Sequence, residues 1–283
     1  MKNQKLLPLI CCVLAFGLLS VSAAAQAKPL LKRTDSKTQS ASFGVGGTLV
    51  LTGAPSGSIT IETWPATKIE VTAEIEIQAE TEADLATLSK VVGYTLNVTN
   101  VYATLTSVVP NKKSLKQADP KFNKALLTAP VRIDYHIKVP TYIDLDINGG
   151  EGDLNISGTQ GSMDIKFVKA NARLAPNSGL TNATFGSGTV DVIIPVFRWA
   201  GRYVSVQLAS GTMNVHLPVN LSAEIEAKIL RTGRIESAYN GMTPVYQSVP
   251  FTDKFMDARV GVGGISMKYA VGDGTLNFME TKK

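Results

Sequence analysis

The densest set of oxygen ligands in the chain is Asp144-Leu145-Asp146-Ile147-Asn148-Gly149-Gly150-Glu151-Gly152-Asp153. Its opening matches the D-x-D-x-N-G start of a calcium loop, which needs oxygens at alternate positions and a glycine turn. The twelfth position is Asn155, where that loop requires a bidentate Glu. The calcium β-roll pattern also fails, because Asp153 follows its glycine one residue too early. Leu145 and Ile147 alternate with the acids as in an ordinary strand, so the acids are expected to face water and no metal is expected. The same four acids, Asp144, Asp146, Glu151 and Asp153, are the only dense group that could offer the paired carboxylates of a glycosidase, or the base of a polysaccharide lyase.

Other chemistry is sparser. The two histidines, His136 and His216, alternate with apolar-face neighbours (Tyr135 and Ile137, Val215 and Leu217) and should lie on a solvated face. No Ser or acid is spaced to complete a nucleophile-activating set with either one. Gly44-Val45-Gly46-Gly47 lacks the Lys-Ser/Thr of a phosphate loop and precedes a strand. No catalytic, cofactor-binding or metal-ligating residue is therefore expected, and no cofactor. Two binding features remain. Lys112, Lys113, Lys116, Lys121 and Lys124 make a basic segment that reads first as a solvated loop. Its alternative is attraction to anionic envelope polymers or lipid head groups. Trp64, Trp199 and Tyr203 could stack on sugar rings, although Trp199, in the irregular turn from Pro195 to Gly201, could equally cap a core.

The elements that must position these residues announce themselves by repetition. Gly188-Thr189-Val190-Asp191-Val192-Ile193-Ile194-Pro195 has a near twin in Gly211-Thr212-Met213-Asn214-Val215-His216-Leu217-Pro218. The pattern Gly-x-apolar-x-apolar recurs from Gly47, Gly57, Gly152, Gly161, Gly263 and Gly274, and more weakly from Gly233. Alternation of period two places the apolar side chains on one strand face, with glycine turning the chain before it. Gly188, Gly211 and Gly233 stand 23 and 22 residues apart. Units of that length cannot bury an apolar face alone, but stacked ones can. Residues 183–237 are thus expected to be successive coils, with Val190 over Met213 and Val192 over Val215 inside, and Asp191 and Asn214 outside. The fold class expected is all-β, a β-solenoid of short strands over residues 141–283, with a β-sandwich as the alternative.

Before the repeats, residues 28–42 read as a flexible polar leader. Residues 43–140 read as a β segment holding one helix, about 82–92, with a capping-box-like start at Thr81 and Asp84. A basic loop spans 110–130 between prolines. The extreme N-terminus has the form of a secretory signal. Lys2 and Lys5 precede an apolar run from Leu6 to Leu19, and Ala25-Gln26-Ala27 is an A-x-A cleavage site. The run is shorter than the roughly 20 residues of a membrane span. Cleavage after Ala27 removes both cysteines, Cys11 and Cys12, and lowers the formal charge from +5 to +3. So small a charge gives no argument for nucleic acid, and no second apolar run reaches spanning length.

Three stretches together carry a family resemblance: Gly57-Ser58-Ile59-Thr60-Ile61 with Ile69-Glu70-Val71; the entry Tyr135-His136-Ile137-Lys138-Val139-Pro140; and the Gly-x-apolar-x-apolar units punctuated by Val139-Pro140 and Leu217-Pro218. Over roughly residues 43–279 the chain resembles the exported bacterial proteins that carry the "putative adhesin" domain. The resemblance implies a β-solenoid, an envelope location (periplasm or cell surface) and an interaction surface, and it brings no catalytic residues. The expected function is a non-enzymatic, adhesin-like binding module of the cell envelope. A carbohydrate-active enzyme and a structural spacer are the alternatives. Expected partners are an envelope polysaccharide, an anionic lipid or another envelope protein, with the oligomeric state left open.

Overall fold

The computed structural model describes residues 29–196 and 199–281. The signal segment and its cleavage site lie outside the described residues. The chain begins with β1 (Leu31–Ser42), β2 (Gly47–Ser56), β3 (Ile59–Trp64), β4 (Lys68–Ala79), helix α1 (Glu82–Ser89), β5 (Gly93–Val98) and β6 (Tyr102–Val108). Helix α2 (Lys112–Ala118), a 3₁₀ turn (Lys124–Thr128) and β7 (Val131–Pro140) follow. Next come the long strands β8 (Ile143–Ser157), β9 (Met163–Ala175), β10 (Ser178–Ile193) and β11 (Ala200–Leu217). Shorter β12 (Ala223–Ile229), β13 (Gly233–Ser237), β14 (Met242–Pro244) and β15 (Phe255–Val260) lead to the final strand, β16 (Ile265–Glu280). The described strands form one sixteen-stranded sheet, and the all-β class holds. No helix among the described residues is long and apolar enough to cross a membrane.

Each long strand is two arms joined at a corner. In β10 the buried residues are Thr181, Ala183 and Phe185, then Val190 and Val192. The buried set changes from odd to even numbers across Gly186–Gly188. A straight strand alternates without interruption, and the break in β10 lets the residues on both sides of it face the same core cluster. Gly188 makes the turn with φ +127°. A Cβ there would collide with the carbonyl of Ala170 on the neighbouring strand. Gly57, Gly152, Ala170, Gly188, Gly211, Gly274 and Gly233 stand at the corners of successive levels.

The levels are parallel and in register. Gly188 through Ile193 pair residue for residue with Gly211 through His216, which explains the twin sequences. Val190, Val192, Met213 and Val215 are fully buried, and Asp191 and Asn214 point outward, as expected. The order of levels differs from the expectation of successive coils over 183–237. Strand β16 lies between β11 and the β12–β13 level, pairing with β11 on one side and with both shorter strands on the other.

Other segments also differ. Residues 31–42, expected as a flexible leader, form β1, paired along its whole length with β4. The stack does not start at residue 141. Strand β2 pairs with the first arm of β8 and β3 with its second arm, so the two make a complete level before the repeats. Helix α1 starts at the expected cap, with the Asp84 N–H donating to Thr81 Oγ1 at 3.1 Å, but ends at Ser89, short of residue 92. The expected loop 110–130 contains α2, which is capped by Asn111. Buried Leu115 and Leu126 anchor the segment.

Candidate functional site

The outward side chains at the corners and on the second arms form rows across the strands, with about 4.8 Å between neighbouring strands. One row runs Glu151–Lys169–Ser187. The next runs Asp153–Asn171–Thr189–Thr212–Thr275, and the third runs Asn155–Arg173–Asp191–Asn214–Asn277. Amides tie the rows together. Asn171 donates to Asp153 at 3.1 Å, Asn214 to Asp191 at 2.8 Å and Asn277 to Asn214 at 2.9 Å. The Oδ1 atoms of Asn155 and Asn277 are buried acceptors with no partner. An unmatched buried acceptor costs about 1–3 kcal/mol, a cost that falls at the two ends of the third row.

Two clefts open on this surface, over β8, β9 and β10. The first, about 260 Å³, has Arg132, Glu151, Asp153, Lys169 and Asn171 on its walls, above a floor that includes Gly57, Gly152, Ala170 and Gly188. The second, about 390 Å³, is lined by Asp153, Asn155, Asn171, Arg173, Thr189 and Asp191. They share Asp153 and Asn171 and so adjoin as a trough on the strand face. Corner residues without long side chains let a ligand approach the backbone.

The trough carries both charge signs. Arg132 is held by Asp134 through two bonds, Nε to Oδ2 at 2.8 Å and Nη2 to Oδ1 at 3.0 Å. That hydrogen bonding raises the Arg132 pKa. Burial alone would raise the Asp134 carboxyl, but the bonds from Arg132 and from the Ser58 N–H and hydroxyl outweigh it and hold it lowered. Lys169 and Arg173 are exposed and make no ion pair with a described residue.

The acidic run singled out in the sequence is split by the corner. Asp144 and Asp146 sit on the outer face of the first arm. There Asp144 accepts the Ser162 N–H at 2.6 Å and Asp146 accepts the Asn148 amide at 3.0 Å. Glu151 and Asp153 flank the corner residue Gly152, in the trough. No group of three or more His, Cys, Asp or Glu among the described residues is placed to hold a metal ion. His136 is exposed, with Nε2 3.3 Å from Glu62 Oε2, and His216 stands on the outer face of β11 in register with Ile193 and Met279. The structure does not bring the two histidines into one row with the trough acids.

The aromatic candidates are also dispersed. Trp64 donates to the Lys68 carbonyl at 2.9 Å, and its ring lies under the ammonium groups of Lys68 and Lys138 at 4.9 and 5.6 Å. Trp199 packs against the core, and Tyr203 lies on the first arm beside Leu180. The five lysines sit on α2, the 3₁₀ turn and their connection, all exposed. That segment is tied to α1 by the Asn123–Asp84 bond at 3.4 Å.

Sequence reading missed Lys169, Asn171, Arg173 and Thr189 as a group. The available signal was the outward text after each corner, Thr189/Asp191, Thr212/Asn214 and Thr275/Asn277, which repeats as strictly as the inward one.

No family model matches the chain, and no curated protein matches it in sequence. Among solved structures it is similar to a putative cell adhesion protein from Clostridium sporogenes ATCC 15579. The identity there is 17% and the TM-score 0.46, over 88% of this chain and 100% of that one. It is also similar to a putative adhesin from Bacteroides fragilis NCTC 9343, at 11% identity and a TM-score of 0.33, over 87% and 97% of the two chains.

Proposed function

We propose that this chain is an exported envelope module that binds its partner without transforming it, and that an envelope polysaccharide lies along the second-arm face across β8, β9 and β10. The carrying observation is the shared trough. Its walls set donors (Lys169, Asn171, Arg173) beside acceptors (Glu151, Asp153, Asp191), the mixture that a chain of hydroxyl groups satisfies, since each hydroxyl both donates and accepts. The corner residues keep the floor open to a ligand ring. The trough sets three acids against three bases and so gives an anionic lipid surface no net attraction, which favours the sugar over the lipid. Export rests on the character of residues 1–27, and the non-enzymatic reading on the division of Asp144 and Asp146 from Glu151 and Asp153 by the corner.

The test uses immobilised neutral glucan, polygalacturonate and peptidoglycan glycan strands as probes. The wild-type protein should be retained by at least one of them. Asn171→Ala and Arg173→Ala, both at exposed positions, should leave stability within about 0.5 kcal/mol and weaken retention about tenfold, the value of one lost hydrogen bond of about 1.4 kcal/mol. Lys113→Ala, on α2, should bind as the wild type does. Equal retention of all four proteins would overturn the trough assignment. Release of soluble sugar from a probe would replace binding with the enzymatic alternative.

A further inference from the structure

The last described strand lies inside the sheet. Strand β16 pairs with β11 from Tyr203↔Ser266 to Leu217↔Glu280, and on its other side with β12 and β13. Both neighbours precede it in sequence. Met267, Tyr269, Val271, Leu276 and Phe278 enter the core with it, all at or below 1% exposed. Tyr269 and Phe278 meet edge to face at 5.7 Å. Withdrawing β16 would bare two sheet edges at once, each with the main-chain donors and acceptors of a strand seeking a partner. The level is a slot one strand wide.

The tether into this slot is short and glycine-rich. Val260 and Ile265 both pair with Ala223, one from each side of β12. The link therefore steps over a strand, two strand spacings or about 9.6 Å. Gly261, Val262, Gly263 and Gly264 span it, the glycines at φ +57°, +81° and +115°, with the Val262 side chain 92% exposed.

We propose that this slot accepts strand β16 of a second copy, so that copies of this protein join by exchanging β16. Every contact of β16 with β11, β12 and β13 is the same whichever copy supplies the strand, and only the link differs. A four-residue link gives the chain's own strand an effective concentration on the millimolar scale. Dilute protein therefore stays closed, and exchange grows with protein density or when the link cannot reach. The inference is independent of what the trough binds.

Thr212 and Thr275 are register partners on the outer face, close enough for a disulfide between neighbouring strands. One copy carries Thr212→Cys and another Thr275→Cys, both with Cys11→Ser and Cys12→Ser. They are unfolded together, refolded over a range of concentrations and oxidised. A covalent heterodimer should form, its fraction rising about tenfold per tenfold in concentration while exchange is the minor outcome. It should be absent when the two copies fold separately before mixing. A chain carrying both cysteines should cross-link within the monomer. An internal cross-link in that chain with no heterodimer at any concentration would overturn the proposal, as would an equal heterodimer yield from prefolded copies. Deleting Val262, Gly263 and Gly264 leaves two Cα steps, at most about 7.2 Å, too short for the strand to return to its own slot. That variant should elute as a dimer or larger, and a folded monomer would count against exchange.

Discussion

Gly211→Ala tests the corner column. Gly211 holds φ +135°, and a Cβ on it would run into the carbonyl oxygen of Gly188, its register partner on β10. Two costs combine. Backbone conformations with φ near this value are closed to side-chain-bearing residues at about 1–3 kcal/mol. The overlap is with main chain, so it is relieved only if β10 and β11 part at the corner, weakening ladder bonds worth about 1 kcal/mol each. The sum is about 3–5 kcal/mol. Gly46→Ala is the control. Its φ is +78°, but nothing lies within 4 Å of the added Cβ, leaving only the left-handed penalty of about 1–2 kcal/mol. At about 2–4 °C per kcal/mol for a domain of this size, Gly211→Ala should melt roughly 10 °C below the wild type and Gly46→Ala roughly 4 °C below. Urea midpoints read alongside calorimetry check both. Equal losses in the two variants would mean that the corner has room, and that the close stacking of Gly188 and Gly211 is not what holds the levels in register.

Val192 is buried between its register partners Leu174 and Val215, so Val192→Asp should cost about 3–5 kcal/mol. Burial would raise that carboxyl's pKa, so the deficit should grow as pH climbs from about 4 toward neutrality, and a tolerated Val192→Asp in urea titrations would reverse the inside–outside assignment. Asn214→Asp, facing outward, replaces a hydrogen bond to Asp191 with a like-charge neighbour and should cost about 1 kcal/mol or less, easing in acid. Hydrogen bonds from Arg231 and Thr232 lower the Asp273 carboxyl to about 2. A folded-state pKa below the unfolded one contributes stability above about pH 4 that is lost as pH falls toward 2. Asp273→Asn should flatten that acid limb, and an NMR titration of Asp273 centred near 4 would contradict the pairing.

The sequence announces a strand through apolar alternation, and β1 has none. Lys32, Thr34, Ser36, Thr38 and Ser40 make one row, and Arg33, Asp35, Lys37 and Gln39 most of the other. The strand exists because β4 offers a long edge, and because Arg33 finds partners on helix α1. Arg33 reaches Ser89 Oγ at 3.2 Å and Glu82 Oε2 at 3.0 Å. Charges on the inner row also blunt an edge that would otherwise invite another chain. Helix α2 was hidden for a related reason, since Leu115 is its single buried residue and one anchor makes no periodicity. The trough was hidden because outward polar residues look alike whether or not a corner folds them around a cleft. Only the corner distinguishes Asp146, facing out from the first arm, from Asp153, seven residues on and facing out from the second.

The order of levels shows what kind of signal a repeat carries. A spacing of 22 or 23 residues measures how much chain one level consumes and is silent about which level lies next to which. Outward residues carry that second message, because in a parallel stack each outward side chain lies beside its counterparts on the two neighbouring strands. Behind its corner β11 presents Thr212 and Asn214. Strand β16 presents Thr275 and Asn277 at the same heights, and β13 presents Arg234 and Glu236. The Thr–Thr and Asn–Asn matches, the latter made as a hydrogen bond of 2.9 Å, select β16 as the neighbour of β11. Strand β12–β13, interrupted at Leu230–Thr232 and carrying charges, goes to the outer side, where Arg234 pairs with Glu236 along its own strand. Inward residues thus fix that the levels stack, and outward ones fix their order.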